Sequence, residues 1–479
     1  MGFLKPAAKF VKKKMIKKGE KLVKKCPPKP LPKGVFDKID GAKSEFFTAG
    51  FSKTDIMPDD ILKKKYWVAG YNAYTPAKGV LDPMTTSAVW LDDNSGRGGV
   101  VFISVDSVGL TNYDVKYARD NLKDFCKKTG CRSINIFSTH NHAGIDTVGM
   151  WGPIPRTGRD KGYMKIVHDG IKKVVEEAYA GRKDGSLFYG KKETPEIQRD
   201  SRLPNVFCKD LTRLRFVPKE SGKEIWILNY ASHTESMLGH NPIVSADFAC
   251  YMRRGILETA GAETLYGIGA IGGLIRLKEL DKNNVESTKL GGKALAETAV
   301  AIEDERKLSP VINLIRQEYY SPVDNYLLAM LASIGIMKSE FCGHDKSSLH
   351  MAVKTEMTYF EIGDLKMLLL PSEIFPELVY GGYLSAEESA EGKGPEVNPD
   401  PLVKIAGDDN LLLFGVTNDF TGYVVPPNDF LTHDEIPYAD KATDRLGRRH
   451  YEETNSLGPL TAQTIADTFK GIMETVNAC

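Results

Sequence analysis

Residues 134–144 read Ile134-Asn135-Ile136-Phe137-Ser138-Thr139-His140-Asn141-His142-Ala143-Gly144. An apolar run suited to a buried strand ends abruptly in two histidines spaced two apart. On an extended strand end, residues i and i+2 face the same side, so both imidazoles point one way. The same grammar recurs three times. Ile225–Tyr230 runs into Ser232-His233-Thr234, Lys366–Leu370 into Pro371-Ser372-Glu373, and Leu411–Val416 into Asn418-Asp419 and then Gly422-Tyr423. In α/β sheets the carboxyl ends of parallel strands open onto a ligand crevice. Parallel strands here would bring two or three His, a Glu and a Tyr to one point.

Working outward, apolar strand-like runs at 100–105, 134–138, 224–230, 365–370 and 411–416 alternate with helical patterns at 113–128, 162–180, 246–260, 291–306 and 460–476. Further strands are expected at 186–191, 311–319 and 355–362. The expectation is an α/β fold, with mixed sheets covered by helices in one large catalytic domain. Segments 385–409 and 426–450 read as a polar surface loop and a polar insertion.

The 479 residues carry a formal net charge of +1, an average over two unlike parts. Residues 1–33 hold twelve Lys against the single acid Glu20, a balance of +11, which leaves −10 for the remainder. A uniformly basic nucleic-acid binder is excluded by that acidic body, and disorder throughout by 42% hydrophobic residues. Residues 1–25 read as a basic amphipathic helix, with Leu4, Ala8, Val11, Met15 and Leu22 at helical spacing among lysines and Gly19 weakening the middle. Residues 26–34 are Pro-rich and cannot continue it. The division expected is therefore 1–34, a basic segment plus linker, and 35–479, the catalytic domain. Coexisting apolar and Lys faces point to an anionic membrane surface as partner of residues 1–25, with no nucleic acid. Lysines interrupt every short apolar run up to Lys25, so no signal peptide is read. Seven scattered cysteines do not make a disulfide framework. The location expected is cytoplasmic, peripheral on the cytoplasmic membrane face.

Imidazoles with one carboxylate suit Zn²⁺ with a position open for water. Such an ion activates water and polarises a carbonyl, a nearby His shuttles protons, and an Arg or Tyr holds the oxyanion. The chemistry implied is hydrolysis of an amide or ester. The motif Gly267-Ile268-Gly269-Ala270-Ile271-Gly272 matches a dinucleotide-binding pattern. It lacks the following helix and acidic strand end that such a site requires, and reads as a tight turn lining the cleft.

The order of motifs resembles the neutral/alkaline non-lysosomal ceramidase family, zinc-dependent amidases that cut the N-acyl bond of ceramide. The resemblance spans most of residues 45–477. It is carried by Gly50-Phe51-Ser52-Lys53-Thr54-Asp55-Ile56-Met57-Pro58, Ala69-Gly70-Tyr71-Asn72 and Ser104-Val105-Asp106. It continues through Thr139-His140-Asn141-His142-Ala143-Gly144, Asp200-Ser201-Arg202-Leu203-Pro204, and Ala231-Ser232-His233-Thr234 followed by Ser245-Ala246-Asp247. It ends with Pro371-Ser372-Glu373, Asn418 through Tyr423, and Tyr451 through Pro459. The resemblance implies that His140, His233, Glu373 and Tyr423 hold zinc and that His142 is the proton shuttle. It also implies that Arg202 and Tyr451 orient the substrate and stabilise the oxyanion. Departures include Ala143 and Ile145 in the His-x-His motif and Gly269-Ala270-Ile271-Gly272-Gly273 in place of the family's G-D-V-S-P-N loop. The family's C-terminal immunoglobulin-like domain has no counterpart after the 460–476 helix. The function expected is ceramidase-like hydrolysis of a lipid or N-acyl substrate. The alternatives are a metal esterase or amidase for a non-lipid substrate and a non-catalytic, membrane-associated metal-binding protein.

Overall fold

A computed structural model describes residues 4–479; positions 1–3 of the expected N-terminal helix lie outside it. Two mixed sheets stack face to face, with helices on both outer faces. The first sheet has the strand order β8-β7-β6-β5-β1-β2-β3-β4. Its members are β1 (Phe47–Asp55), β2 (Thr85–Asp92), β3 (Val100–Val105), β4 (Ser133–Ser138), β5 (Lys183–Glu193), β6 (Asp210–Pro218), β7 (Ile225–Tyr230) and β8 (Glu263–Ile268). The short strand Glu305–Lys307 adds to β5. The second sheet runs β9-β11-β12-β14, from β9 (Ile312–Val323), β11 (Met351–Ile362), β12 (Leu365–Leu369) and β14 (Leu412–Phe414), with β10 (Phe341–Gly343) beside β11.

Period-two alternation explains the layering. On β3, Val100 and Phe102 face the inter-sheet core, while Val101, Ile103 and Val105 face helices α2 (Asn112–Asn121) and α4 (Lys161–Ala180). On β12, Leu365, Met367 and Leu369 enter the inter-sheet core. Leu368 and Leu370 turn outward to α8 (Pro376–Tyr380) and α9 (Thr461–Asn477). Phe137 of β4 stacks on Phe414 of β14 at 4.8 Å between centroids, joining the two sheets. Strands buried on both faces read as continuous apolar runs, which is why these were visible in the sequence.

Three parallel pairs aim strand ends at one place: β3 with β4, β7 with β8, and β12 with β14. The pairs β3–β4 and β7–β8 sit at opposite ends of the first sheet's order. Coiling of the sheet brings them together, and Ser104 Oγ on β3 donates to Tyr266 O on β8 at 2.6 Å. Helices α5 (Asp247–Ala260) and α6 (Asn284–Val300) cover the outer face of β7 and β8.

Several expectations need correction. The helix read at 113–128 breaks at Leu122 into α2 and α3 (Lys123–Thr129). The helix read at 291–306 begins at Asn284, because the Asn283 side chain accepts from the N–H groups of Val285 and Glu286. It ends at Val300, and Glu305–Lys307 is strand. The segments 385–409 and 426–450 are not surface features only. Ser389, Ala390, Asn428, Asp429, Asp444 and His450 are buried.

The N-terminal segment forms the expected helix, α1 (Leu4–Lys25), but it is docked on the body. Its apolar stripe packs on the body: Met15 is buried, and Ala8, Val11, Ile16 and Leu22 lie against the cluster of Val323, Tyr326, Leu349 and Val353. Residues 26–34 are held along β9. Tyr320 Oη donates to Lys29 O at 3.1 Å, Gln317 Nε2 to Pro32 O at 3.1 Å, and Gly34 N to Gln317 Oε1 at 2.7 Å. No helix among the described residues is long and apolar enough to cross a membrane. The seven cysteines are free.

Candidate active site

The site is made by pleating two strand ends together. Beyond β4 and β7, Asn141 and Thr234 form a parallel bridge. They point away from the cleft, Asn141 Nδ2 donating to Ser245 O and Thr234 Oγ1 to Thr139 O. Their neighbours alternate to the other side, so His140, His142, His233 and Glu235 share one face. A second small sheet supplies the opposite wall. In it β13 (Glu373–Ile374) pairs in parallel with β15 (Tyr423–Val424), with Glu373 directly beside Tyr423. Glu373 is thus on a strand rather than at a helix start.

His140 adopts a left-handed backbone with φ +55°, a conformation that costs of order 1–3 kcal/mol in a non-glycine residue and persists only when its surroundings fix it. Here Thr139 N donates to Val105 O and Asn141 N to Ser107 O, each at 3.0 Å. Gly70, at φ +103°, passes against His142; a Cβ there would lie 2.5 Å from the imidazole's own Cβ.

The tautomers follow from the partners. His140 Nδ1 is 2.7 Å from Val108 O and His233 Nδ1 is 2.9 Å from Ile275 O. A carbonyl only accepts, so both Nδ1 atoms carry the proton and both Nε2 atoms present lone pairs. Glu373 Oε2 lies 3.2 Å from His140 Nε2 and 3.3 Å from His233 Nε2. The Tyr423 hydroxyl is 3.2 Å from His233 Nε2. Three buried acceptors facing one another repel unless a metal ion or a shared proton sits among them. Ligating histidines oriented by backbone carbonyls through the other ring nitrogen are the usual supporting arrangement of a metal site. Ligand atoms of His140, His142 and His233 all lie within 4.8 Å of one another, so this group can hold a metal ion. The donor set, imidazole nitrogen with carboxylate and phenol oxygen, fits zinc.

Without a metal ion, protons on the imidazoles take the cation's place. Burial opposes ionisation of Glu373, yet His140 and His233 outweigh it and hold the carboxyl below its ordinary range. Burial, reinforced by His140 and His233, keeps His142 well below the usual histidine value, hence neutral. Burial, then Glu373, raises the Tyr423 phenol well above its normal range. The same causes in the same order push Tyr451 up to about 12.

The expected residues do not all converge. His140, His142, Glu373, Tyr423 and Tyr451 line one cleft, and His233 stands at its base. Arg202 lies elsewhere, and its donors are committed. Nε and Nη2 bond Asp429 Oδ2 at 3.1 and 2.9 Å, Nη1 bonds Glu452 and Glu453 at 2.9 and 3.1 Å, and Nη2 also reaches Glu453 Oε1 at 2.8 Å. With its guanidinium buried and saturated, Arg202 has no N–H left for an oxyanion. It braces the acidic segment that carries Tyr451.

Two residues escaped the sequence reading. Glu235, 5% exposed, places Oε2 at 3.3 Å from His142 Nδ1. Tyr71 sets its ring edge-on to His142 at 5.4 Å. The signal for Glu235 was present as a second period-two pair, His233-x-Glu235. The Gly267–Gly272 motif lies in β8 and the turn after it, where Gly269 N bonds Tyr230 O and Gly272 N bonds Ile374 O. It braces β13, and no helix follows before Asn284.

Above the polar base the cleft is apolar and open to solvent, walled by Val108, Met150, Trp151, Leu328, Met337, Phe341 and Phe420.

No protein-family model and no curated protein sequence matches the chain. Solved structures do. The crystal structure of neutral ceramidase from Pseudomonas aeruginosa superposes with a TM-score of 0.66 at 16% identity, covering 91% of this chain and 75% of that one. A ceramidase complexed with C2 gives a TM-score of 0.65 at 16% identity, covering 90% and 76%. The fold is therefore neutral ceramidase-like.

Proposed function

We propose that the chain is a zinc-dependent hydrolase that cleaves the N-acyl amide bond of a lipid-like substrate. The observation that carries this reading is the convergence of His140 Nε2, His233 Nε2 and Glu373 Oε2 at the base of an apolar cleft. The ceramidase-like fold supports the substrate class.

His140, His233, Glu373 and Tyr423 would hold the ion, and His142 would stay outside that set. Zinc bound there supplies Lewis acidity toward the acyl carbonyl and toward water. His142, kept neutral by its burial, takes the proton of the attacking water on Nε2 as the C–O bond forms. It returns that proton to the amine nitrogen as the C–N bond breaks. Glu235 Oε2 lies 3.3 Å from the opposite nitrogen without the alignment of a hydrogen bond, and its charge would balance the transient imidazolium. Tyr451 keeps its phenolic proton at neutral pH and donates toward the developing oxyanion. The apolar walls receive the acyl chain and exclude water.

The test pairs metal analysis with turnover of a long-chain N-acyl amide. The native protein should contain one zinc per chain, and His140→Ala should lose both zinc and hydrolysis. Full hydrolysis by zinc-free protein would overturn the proposal.

A further inference from the structure

We infer that the outer face of α1 is a docking surface for an anionic lipid bilayer, and that it binds without inserting the helix's apolar stripe. The stripe is already occupied by the protein, with Met15 buried and Ala8, Val11 and Leu22 packed beside it. What remains outside is a basic surface. Lys5, Lys9, Lys13, Lys17, Lys21 and Lys25 recur every four residues, and all six are exposed, as are Lys14 and Lys24. Among the described residues, Lys5 with Glu435 is the one ion pair any α1 lysine makes. The 22 residues of α1 make a rod about 33 Å long at 1.5 Å per residue, and the row of lysines winds about 40° per step across its outer half.

The choice of a bilayer over another polyanion rests on what accompanies the charge. Phe10 is 69% exposed, one turn before Lys13 and Lys14. The helix α7 (Tyr326–Ser333) packs on the inner side of α1, its Ser333 Oγ 3.7 Å from Met15 Sδ. An aqueous polyanion gains nothing from an exposed aromatic side chain, whereas a headgroup region takes it up. The basic residues are all lysines, point charges suited to a diffuse anionic surface rather than to bidentate recognition.

The position of α1 ties this surface to the cleft. Leu328 of α7, Phe341 of β10 and Val353 of β11 line the cleft on one side and pack in the cluster that receives α1. A bilayer against α1 therefore lies beside the wall of the cleft.

The experiment is co-sedimentation of the full chain with vesicles of phosphatidylcholine alone and of phosphatidylcholine with phosphatidylserine. Binding to the second and not the first, released by high salt, is expected. Each surface lysine contributes roughly five-fold in partitioning. The combined Lys13→Glu, Lys17→Glu, Lys21→Glu variant should thus lose at least about a hundred-fold. The corresponding Lys→Gln variant, free of reversed charge, serves as the check against misfolding and should also weaken binding. Phe10→Ala should lose a smaller factor. Unchanged binding by either triple variant overturns the inference. So does failure of the native chain to bind acidic vesicles, or tighter binding to duplex DNA than to vesicles at the same salt. His140→Ala should bind vesicles like the native chain, so failure here and failure of the hydrolase reading are distinguishable.

Discussion

Glu235 shares the pleat of His233, and its carboxylate faces the nitrogen of His142 that points away from the ligand cluster. The loss of such outer partners costs about 10- to 100-fold in metal affinity or activity. Glu235→Gln should lower kcat by about that factor. KM and zinc content should stay near native, because Glu235 touches neither the cleft wall nor the proposed ligands' Nε2 atoms. Glu235→Asp should recover part of the loss. Arg202 makes the opposite case. Four carboxylate and carbonyl groups depend on its guanidinium, and Arg202→Lys offers three donors where five are used. Breaking one partner out of a buried ion network costs about 3–5 kcal/mol, so chemical denaturation should register a loss of that order. A fully stable variant with lowered kcat would restore the oxyanion role. The histidines, Glu373 and Tyr423 were legible because each ends an apolar strand. Glu235 was not, since an acid after His-Thr reads as one more polar turn residue. The fate of Arg202 was not legible either, because its partners Asp429, Glu452 and Glu453 lie more than two hundred residues away in sequence.

At the scale of elements, burial on both faces made strands readable and alternation with small residues hid them. β3, β4, β7 and β12 stand within a residue of their expected bounds, while β1, reading Phe-Thr-Ala-Gly-Phe-Ser-Lys-Thr-Asp, and β6 gave no continuous apolar run. Helix α1 was visible from its periodicity, but where its apolar face goes depends on a partner surface formed by residues 323–353. Gly19 makes this concrete. In isolation it weakens a helix by about 1 kcal/mol relative to Ala. Here its missing side chain lets the helix lie directly on the body, since a Cβ would come 1.7 Å from Leu349 O. Gly343 of β10 does the same from the other side, against Val23. Gly19→Ala should therefore undock α1 despite its better helix propensity. Limited trypsin digestion should cut at the α1 lysines faster than in the native chain. The melting temperature of the body should change little, because α1 contributes to one peripheral cluster. Equal digestion rates would show that the helix shifts to accommodate the methyl.

The molecule as a whole is four layers, helix, sheet, sheet and helix, with the polar site where three parallel pairs end. Placing so many charged groups inside such a stack has a consequence for stability against pH. Beside the Arg202 network sit two carboxyls whose ionisation burial resists. Burial pushes Glu377 up to about 8, reinforced by Asp200. Burial, with help from Glu452, pushes Asp200 up to about 7. In the unfolded chain both would titrate near 4. Between those values the folded state binds protons that the unfolded state has released, so stability falls as pH rises from about 4 toward 8 and levels above it. Glu453 works in the other direction. Burial opposes its ionisation, but Arg202 and His450 lower it to about 2, so its contribution is present above about 4 and is lost as pH falls toward 2. Taken together, these three groups contribute most near pH 4, the stabilisation from Glu453 being lost below it and that from Glu377 and Asp200 above it. Glu377→Gln keeps the volume and stays neutral at every pH. Thermal melts from pH 5 to 9 should show the native chain losing stability across that range and the variant losing less, with the difference widening up to about pH 8. Parallel curves for the two proteins would mean that Glu377 is ionised in the folded state, and that Arg202 neutralises more of the buried acid than its direct hydrogen bonds account for.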